Sequence, residues 1–409
     1  MYWFACARRC VLSAETLERA APSAAGVVVR PSPRPRTALR RAVPALGLFA
    51  AARLTGTAVL ALWAWHLDRS PRALLARSLD SEWYAAIAAH GYGRTLHLPG
   101  GAVHSDLAFF PLYPGLVRAV STVLPVTGGT AGLLVSWASA AVAAWGVYLV
   151  AERTAGRATA TWLVLLWGML PHSIVLSMAY TEPVMTALAA WSLYALLTRR
   201  WLWAGTLAAL AGLSRPSGIA VAAAVLAAAA WELWRRRGRA GPRVWAAAAV
   251  APAGWLAYVL WVGVRRHDPL GGYFAVQDGW TSRFDFAQGT LRVVRDMLLR
   301  PAQFGFTMAL VITAAGVLLF ALLLLAEPGR RPPLPVLVYT GVLVLITVGG
   351  SGFFESKPRF LLPAFPLLLP LAAAMARARP RAAITVAVAL AGLSFCYGAY
   401  ALTLARMAL

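Results

Sequence analysis

The chain has 409 residues, of which 60% are hydrophobic and 13% charged, with a mean hydropathy of +0.66 and a formal net charge of +23. Soluble domains carry about 25% charged residues, so a soluble globular protein is excluded. The arginines cluster between apolar runs instead of forming one patch on a foldable domain, which argues against a nucleic-acid partner and for topology signals and contact with anionic membrane lipids.

Residues 1–42 hold two short apolar patches and then RPSPRPRTALRR. They read as a basic, disordered cytoplasmic tail, because the opening MYWFACA lacks the basic start of a signal peptide. The remainder, 43–409, reads as one transmembrane domain. Cys6 and Cys10 lie in the tail and Cys396 in the last apolar segment, a distribution that supports neither a disulfide framework nor a zinc site.

The first span is expected over Val43–Trp65, just after Arg40 and Arg41. Those charges hold its start in the cytoplasm and place the following loop, 66–129, outside. Within that loop LARSLDSEWYAAIAAHGY has Leu79, Trp83 and Ile87 at helical spacing and reads as an amphipathic helix on the membrane surface. FFPLYPGLVRAVSTVL is apolar but broken by Pro111, Pro114 and Arg118, and reads as a second interfacial or half-inserted helix. A glycine-rich link, Gly91–Gly101, joins the two.

Further spans are expected over Thr130–Val150, Ala158–Ala179, Glu182–Thr198, Trp201–Leu213, Ile219–Trp234 and Val244–Val264. A second outer loop, 265–302, follows. Gln303–Ala326, Pro335–Val348, Phe360–Met375 and Ala382–Leu404 complete the path. The fold class is therefore an all-α polytopic membrane protein of about eleven spans, judged against the roughly 20 residues a crossing needs. This path keeps the short arginine-rich turns inside. Arg265, Arg266 and Arg300 fall outside, which long loops tolerate.

On this topology every histidine and most acids lie at the outer face. Asp80, Glu82 and Asp106 concentrate in Ser78–Pro114, in a chain with only 15 acids. Asp80 stands beside Trp83 and Tyr84, an interfacial setting that suits a tuned carboxylate, although a helix cap or solvated charge would look alike. Glu82, two residues on, faces elsewhere and reads as solvated. Asp106 either caps the second interfacial helix or serves a sugar site. Glu182 is a helix-start charge or a site member. Arg215 either snorkels to headgroups or binds a phosphate. Gln277, Asp278 and Trp280 in the second outer loop suit sugar contacts, as would an ordinary loop. Lys357, the sole lysine, and Arg359 flank Pro358 and suit phosphate binding, with interfacial anchoring the plainer role. His97, His104 and Asp106 have no strong metal-ligand spacing, so no metal site is assigned and no cofactor is expected to be required.

LDSEWYAAIAAHGY followed by LAFFPLYP resembles the first-loop signature of the GT-C mannosyltransferases. The likeness is to the second mannosyltransferase of glycosylphosphatidylinositol anchor synthesis and its bacterial relatives. SMAYTEP at 177–183, LSRPSG at 213–218 and SKPRFLLPAFPLLLPLA at 356–372 are similar in order and spacing. Leu79 departs from the tryptophan that family usually has before the aspartate. The resemblance implies a polyprenyl-phosphate-linked hexose donor, with mannose expected, and inverting transfer on the outer face of the plasma membrane. It also implies Asp80 as base and raises Glu182 as a site member. The acceptor stays open among an inositol lipid, a polyprenyl-linked glycan and a protein hydroxyl. The competing classes are a lipid-linked saccharide flippase, which would show mid-span charges and a repeat, and a non-catalytic membrane subunit. Arg53 is the main charge within a span.

Overall fold

The computed structural model of the protein describes residues 35–99 and 101–405. Two units are distinguished, Met1–Ala38 and Leu39–Leu409. Of the first, only the beginning of a helix is described, so most of the expected tail lies outside the described residues, together with Cys6 and Cys10. Among its described residues the second unit is helical apart from one short hairpin and an isolated bridge between Phe284 and Gly350.

Helix α1 (Pro35–His66) is the first element among the described residues and carries Arg53 on its inward face, 8% exposed. Arg53 donates to the Gly168 carbonyl at 2.9 Å, Ser173 Oγ at 2.6 Å and Ser177 Oγ at 2.9 Å. A charge in an apolar helix is tolerated where its donors are bonded. Arg53 therefore ties α1 to the turn after α6 instead of lining a path.

Helices α2 (Pro71–Ala76) and α3 (Asp80–His90) replace the single surface helix expected there. Leu79 separates them with φ 55, a conformation few side-chain-bearing residues adopt. Ser81, Tyr84, Ile87 and Ala88 form the buried face of α3, and Leu79 is exposed. The glycine-rich link folds as a hairpin of β1 (Thr95–His97) and β2 (Val103–Ser105), antiparallel, with Leu96 opposite His104. Helix α4 (Leu112–Val123) then packs on α5 (Gly128–Ala155), where the Tyr113 hydroxyl donates to the Gly132 carbonyl at 2.9 Å.

The expected span Ala158–Ala179 is not continuous. Helix α6 (Arg157–Gly168) stops before Pro171, which has no N–H for a helical bond, and a 3-10 turn covers Ser173–Ser177. Helices α7 (Glu182–Leu197), α8 (Trp201–Gly212) and α9 (Ile219–Arg235) follow. Helices α10 (Pro242–Val250) and α11 (Ala253–Arg265) are separated at Pro252. The second long connection holds α12 (Gly272–Gly279) and α13 (Gln288–Leu299). The remainder is α14 (Phe304–Leu325), α15 (Leu334–Gly349), the short α16 (Lys357–Phe360), α17 (Leu369–Arg377) and α18 (Pro380–Thr403).

Among the described residues six helices are long and apolar enough to cross a membrane: α1, α5, α9 with its preceding turn, α10 with α11, α14 and α18. A seventh arises if the pair Phe354–Phe360 and Phe365–Arg377, bent by 79°, counts as one span. Helices α7, α8 and α15 are apolar but shorter. The chain is an all-α polytopic membrane protein, and the count of eleven is not reached by length and composition. At the bend, prolines 358, 363, 366 and 370 remove helical donors. The carbonyls freed there are recovered, since Trp167 Nε1 donates to Leu362 O at 2.9 Å and Tyr339 Oη to Pro363 O at 2.7 Å.

Small residues let the central helices approach. A Cβ on Gly254 would sit 1.9 Å from the Ala209 carbonyl oxygen, so α11 lies directly on the backbone of α8. Gly47 in α1 has nothing within 4 Å of the same position. Gly254→Ala should therefore lower the thermal midpoint in detergent, since overpacking costs about 1–3 kcal/mol. Gly47→Ala should leave it unchanged or raise it by the helix-propensity gain of up to about 1 kcal/mol. Equal midpoints for the two variants would contradict this packing.

Candidate active site

Four charged side chains from remote parts of the chain meet at the ends of their helices. Asp80 begins α3 and Glu182 begins α7, Arg215 lies between α8 and α9, and Arg359 lies in α16. Arg359 Nη2 donates to Asp80 Oδ2 at 2.8 Å, and its Nε lies 2.9 Å from Glu182 Oε1. Glu182 also pairs with Arg215, whose Nη1 donates to Thr181 Oγ1 at 3.0 Å. Two acids and two arginines thus alternate as Asp80–Arg359–Glu182–Arg215, and their formal charges cancel.

Burial grades along this chain. Glu182 is 1% exposed and both arginines 8%, whereas the Asp80 side chain retains 24%. Cancellation is what permits such desolvation, because an unpaired charge there would be prohibitive. The Arg359 guanidinium also lies over Tyr180, 5.1 Å from the ring centroid, and Phe360, at 5.3 Å. Asp80 is the end of the chain that meets solvent.

It does so at a cavity of about 460 Å³, lined by Asp80, Glu82, Arg215 and Arg359 with an aromatic wall of Trp83, Tyr84, Phe109, Trp280, Phe353 and Phe360. Trp83 stacks on Phe109 at 5.6 Å and meets Trp280 edge-on at 5.2 Å. Trp280 is fixed by its Nε1 bond to the Ser105 carbonyl at 3.0 Å and by His104 stacked on it at 3.9 Å. Burial pushes the His104 imidazole below its ordinary value. Burial, and then the nearby Asp80 charge, raises the Tyr84 phenol, which stays protonated within 3.4 Å of Thr181 Oγ1.

Of the residues singled out in the sequence, Asp80, Trp83, Tyr84, Arg215, Gln277 and Arg359 line this one cavity, and Glu182 sits behind it. Gln277 is committed to structure, its Nε2 donating to the Ala108 carbonyl at 3.2 Å and the Tyr273 hydroxyl at 2.8 Å. Glu82 lies exposed on the rim.

Asp106 and Lys357 are placed elsewhere. Asp106 is buried, and its Oδ2 accepts from the amides of Gly93 and Arg94, both at 2.8 Å, which closes the turn before the hairpin. Lys357 turns away from Arg359 and donates to the carbonyls of Thr347 at 2.5 Å and Gly350 at 2.7 Å. Among the described residues no three His, Cys, Asp or Glu side chains gather to hold a metal, and His97, His104 and Asp106 diverge along the hairpin.

Thr181, Phe109, Phe353 and Phe360 belong to the site but carried no individual signal in the sequence. Thr181, Phe109 and Phe360 do fall inside the stretches that drew notice, SMAYTEP, LAFFPLYP and SKPRFLLPAF. Phe353 stands three residues before the last of these.

No sequence-family model and no curated protein matches the chain. Solved structures do. ArnT from Cupriavidus metallidurans bound to undecaprenyl phosphate is 18% identical with a TM-score of 0.50, the match covering 82% of this chain and 60% of that one. The Archaeoglobus fulgidus oligosaccharyltransferase in the apo form is 14% identical with a TM-score of 0.51, covering 88% of this chain and 56% of that one. AglB from Archaeoglobus fulgidus, in complex with an inhibitory peptide and a dolichol-phosphate, is 13% identical with a TM-score of 0.52 over the same shares, 88% and 56%. The chain thus spans little more than half the length of these proteins. At such identities the likeness is one of fold alone.

The ion chain sets an expectation for stability. Glu182→Ala leaves the two buried guanidinium groups with Asp80 as their one carboxylate, and removing one partner of a buried pair costs about 3–5 kcal/mol. Its thermal midpoint in detergent should fall accordingly. Glu82→Ala, at the exposed rim, should stay within about 0.5 kcal/mol of the parent. A Glu182→Ala protein as stable as the parent would mean that these pairs do not hold the helices.

Proposed function

We propose that the protein is an inverting glycosyltransferase. It would move a hexose, mannose by the sequence resemblance, from a polyprenyl-phosphate donor to an acceptor hydroxyl at the outer face of the cell membrane. The observation that carries this reading is the Asp80 carboxylate, held by Arg359 at 2.8 Å on the wall of an aromatic-lined cavity. The fold supports it, since solved proteins of this architecture have been captured with undecaprenyl phosphate and with a dolichol-phosphate.

The chemistry follows from the arrangement. The acceptor oxygen attacks the anomeric carbon while its proton passes to Asp80, and general-base assistance of this kind contributes about a hundred- to ten-thousand-fold. As the new C–O bond forms, the bond from the anomeric carbon to the phosphate oxygen breaks. Polyprenyl phosphate leaves with that electron pair. Arg359 fixes the orientation of Asp80 through one oxygen, and the other carboxylate oxygen is the proton acceptor. Arg215, also on the cavity wall, supplies cationic donors toward the departing phosphate. The sugar lies against the aromatic wall, whose faces suit the C–H surface of a pyranose while the hydroxyls reach Glu82 at the rim. This reading leaves Lys357 out of the phosphate contacts, since its ammonium is bonded to the Thr347 and Gly350 carbonyls.

Membranes containing the protein, supplied with labelled polyprenyl-phosphate mannose, should transfer label to an endogenous acceptor. Asp80→Asn keeps the shape but cannot accept the proton, and should reduce transfer by about a hundred-fold or more. Transfer at the parental rate would remove Asp80 as the base. Transfer from a different labelled hexose, with mannose inert, would correct the donor and leave the mechanism.

A further inference from the structure

A second and larger cavity, about 700 Å³, lies between α13 and the loop 350–357. It is built on a short pairing of two connections, in which Asp285 N donates to Gly349 O at 3.0 Å and Ser351 N to Arg283 O at 2.8 Å. The partition from the Asp80 cavity is one residue thick. Ser282 and Ser356 line the Asp80 cavity, their chain neighbours Arg283 and Lys357 line the second, and Phe353 lines both. Phe353 holds φ 41 after Gly352 at φ 76, a left-handed pair that turns the phenyl ring into the partition.

Two groups on its wall, the buried Lys357 and the half-buried Asp285, have hydrogen-bonding capacity to spare. Lys357 is 2% exposed, and two backbone carbonyls take two of the three donors an ammonium possesses, leaving one for the cavity it lines. Asp285 accepts the Gly289 amide at 2.7 Å through Oδ2, while its Oδ1 is shut off from solvent without a partner. Leaving such an oxygen unmatched costs about 1–3 kcal/mol unless something donates to it.

The wall as a whole is charge-balanced. Arg283, Arg292 and Lys357 are matched by Asp285, Asp296 and Glu355, three against three. A balanced wall gives an anion no net attraction, but it offers donors and acceptors side by side, with Phe306 and Phe354 as apolar faces. That is the chemistry of an uncharged polyhydroxylated ring. We propose that this cavity binds the polyol ring, sugar or cyclitol, of the acceptor, and that the acceptor hydroxyl reaches Asp80 past Phe353. The inference rests on the transferase reading for its role, though not for its binding.

The test reads binding without a donor. Full-length protein with Cys6, Cys10 and Cys396 replaced carries Ser351→Cys in the second cavity or, as a control, Ser282→Cys in the first. Alkylation is timed with methyl α-mannopyranoside, myo-inositol or inorganic phosphate present. At least one polyol should slow labelling at position 351 several-fold, and myo-inositol should barely change it at position 282, whereas methyl α-mannopyranoside, a match for the donor sugar of the first cavity, is read at position 351 alone. Asp285→Asn and Glu355→Gln should each weaken that protection about tenfold, as loss of a charge-assisted hydrogen bond would. If one variant does not fold, the other gives the same readout. No protection of position 351 by either polyol, equal protection of both positions by myo-inositol, or protection by phosphate alone would each overturn the proposal. Failure here would leave the Asp80 test untouched, and failure there would leave polyol binding in this cavity measurable.

Discussion

Everything in this molecule leads back to the alternation Asp80–Arg359–Glu182–Arg215. Each charge would be prohibitive alone in an apolar interior, and together they cancel. The four residues lie on four different helix starts or turns, so neutrality is reached only when those elements converge. The same condition that makes burial tolerable also fixes the position of the one partly exposed member, Asp80. Site geometry and fold stability therefore share a cause.

The irregularities of the backbone serve that convergence. A chain of uninterrupted spans would carry its polar groups along straight helices and could not direct several of them to one place. Here the helix before Pro171, the bend at 361–364 and the separation of α2 from α3 each end a helix near the ion chain. Side chains recover the backbone groups freed by two of these breaks, with Arg53 serving the first and Trp167 and Tyr339 the second. Irregular backbone within an apolar protein persists where it is buried and satisfied in this way.

Much of this was legible in the sequence because charges are conspicuous in an apolar chain. Asp80, Glu182, Arg215 and Arg359 were each singled out, and each sits in one of the four ordered stretches. What escaped was non-local or angular. Lys357 and Arg359 are two residues apart, so one helical turn projects them to opposite sides and into different cavities. Asp106 bonds amides more than ten residues upstream, across a hairpin whose pairing no periodicity announced. The count of eleven spans is not confirmed by length and composition because α7, α8 and α15 are apolar yet short, and composition alone does not show where a helix ends.

The order of the ion chain in space differs from its order along the polypeptide, and this bears on how the protein is made. Asp80 is synthesised first and waits for Arg359, 279 residues later, the largest separation among the site's hydrogen bonds. Glu182 meets Arg215 early, but that pair has no second cation until the same late arrival. During membrane insertion the nascent bundle therefore holds one acid more than it can neutralise, and its helix ends must stay hydrated. Entry of the bent segment at 354–377 would supply the second cation, Arg359. The Asp80 carboxylate would acquire its orientation only when the bundle closes, so an incompletely inserted chain would lack the ordered ion chain.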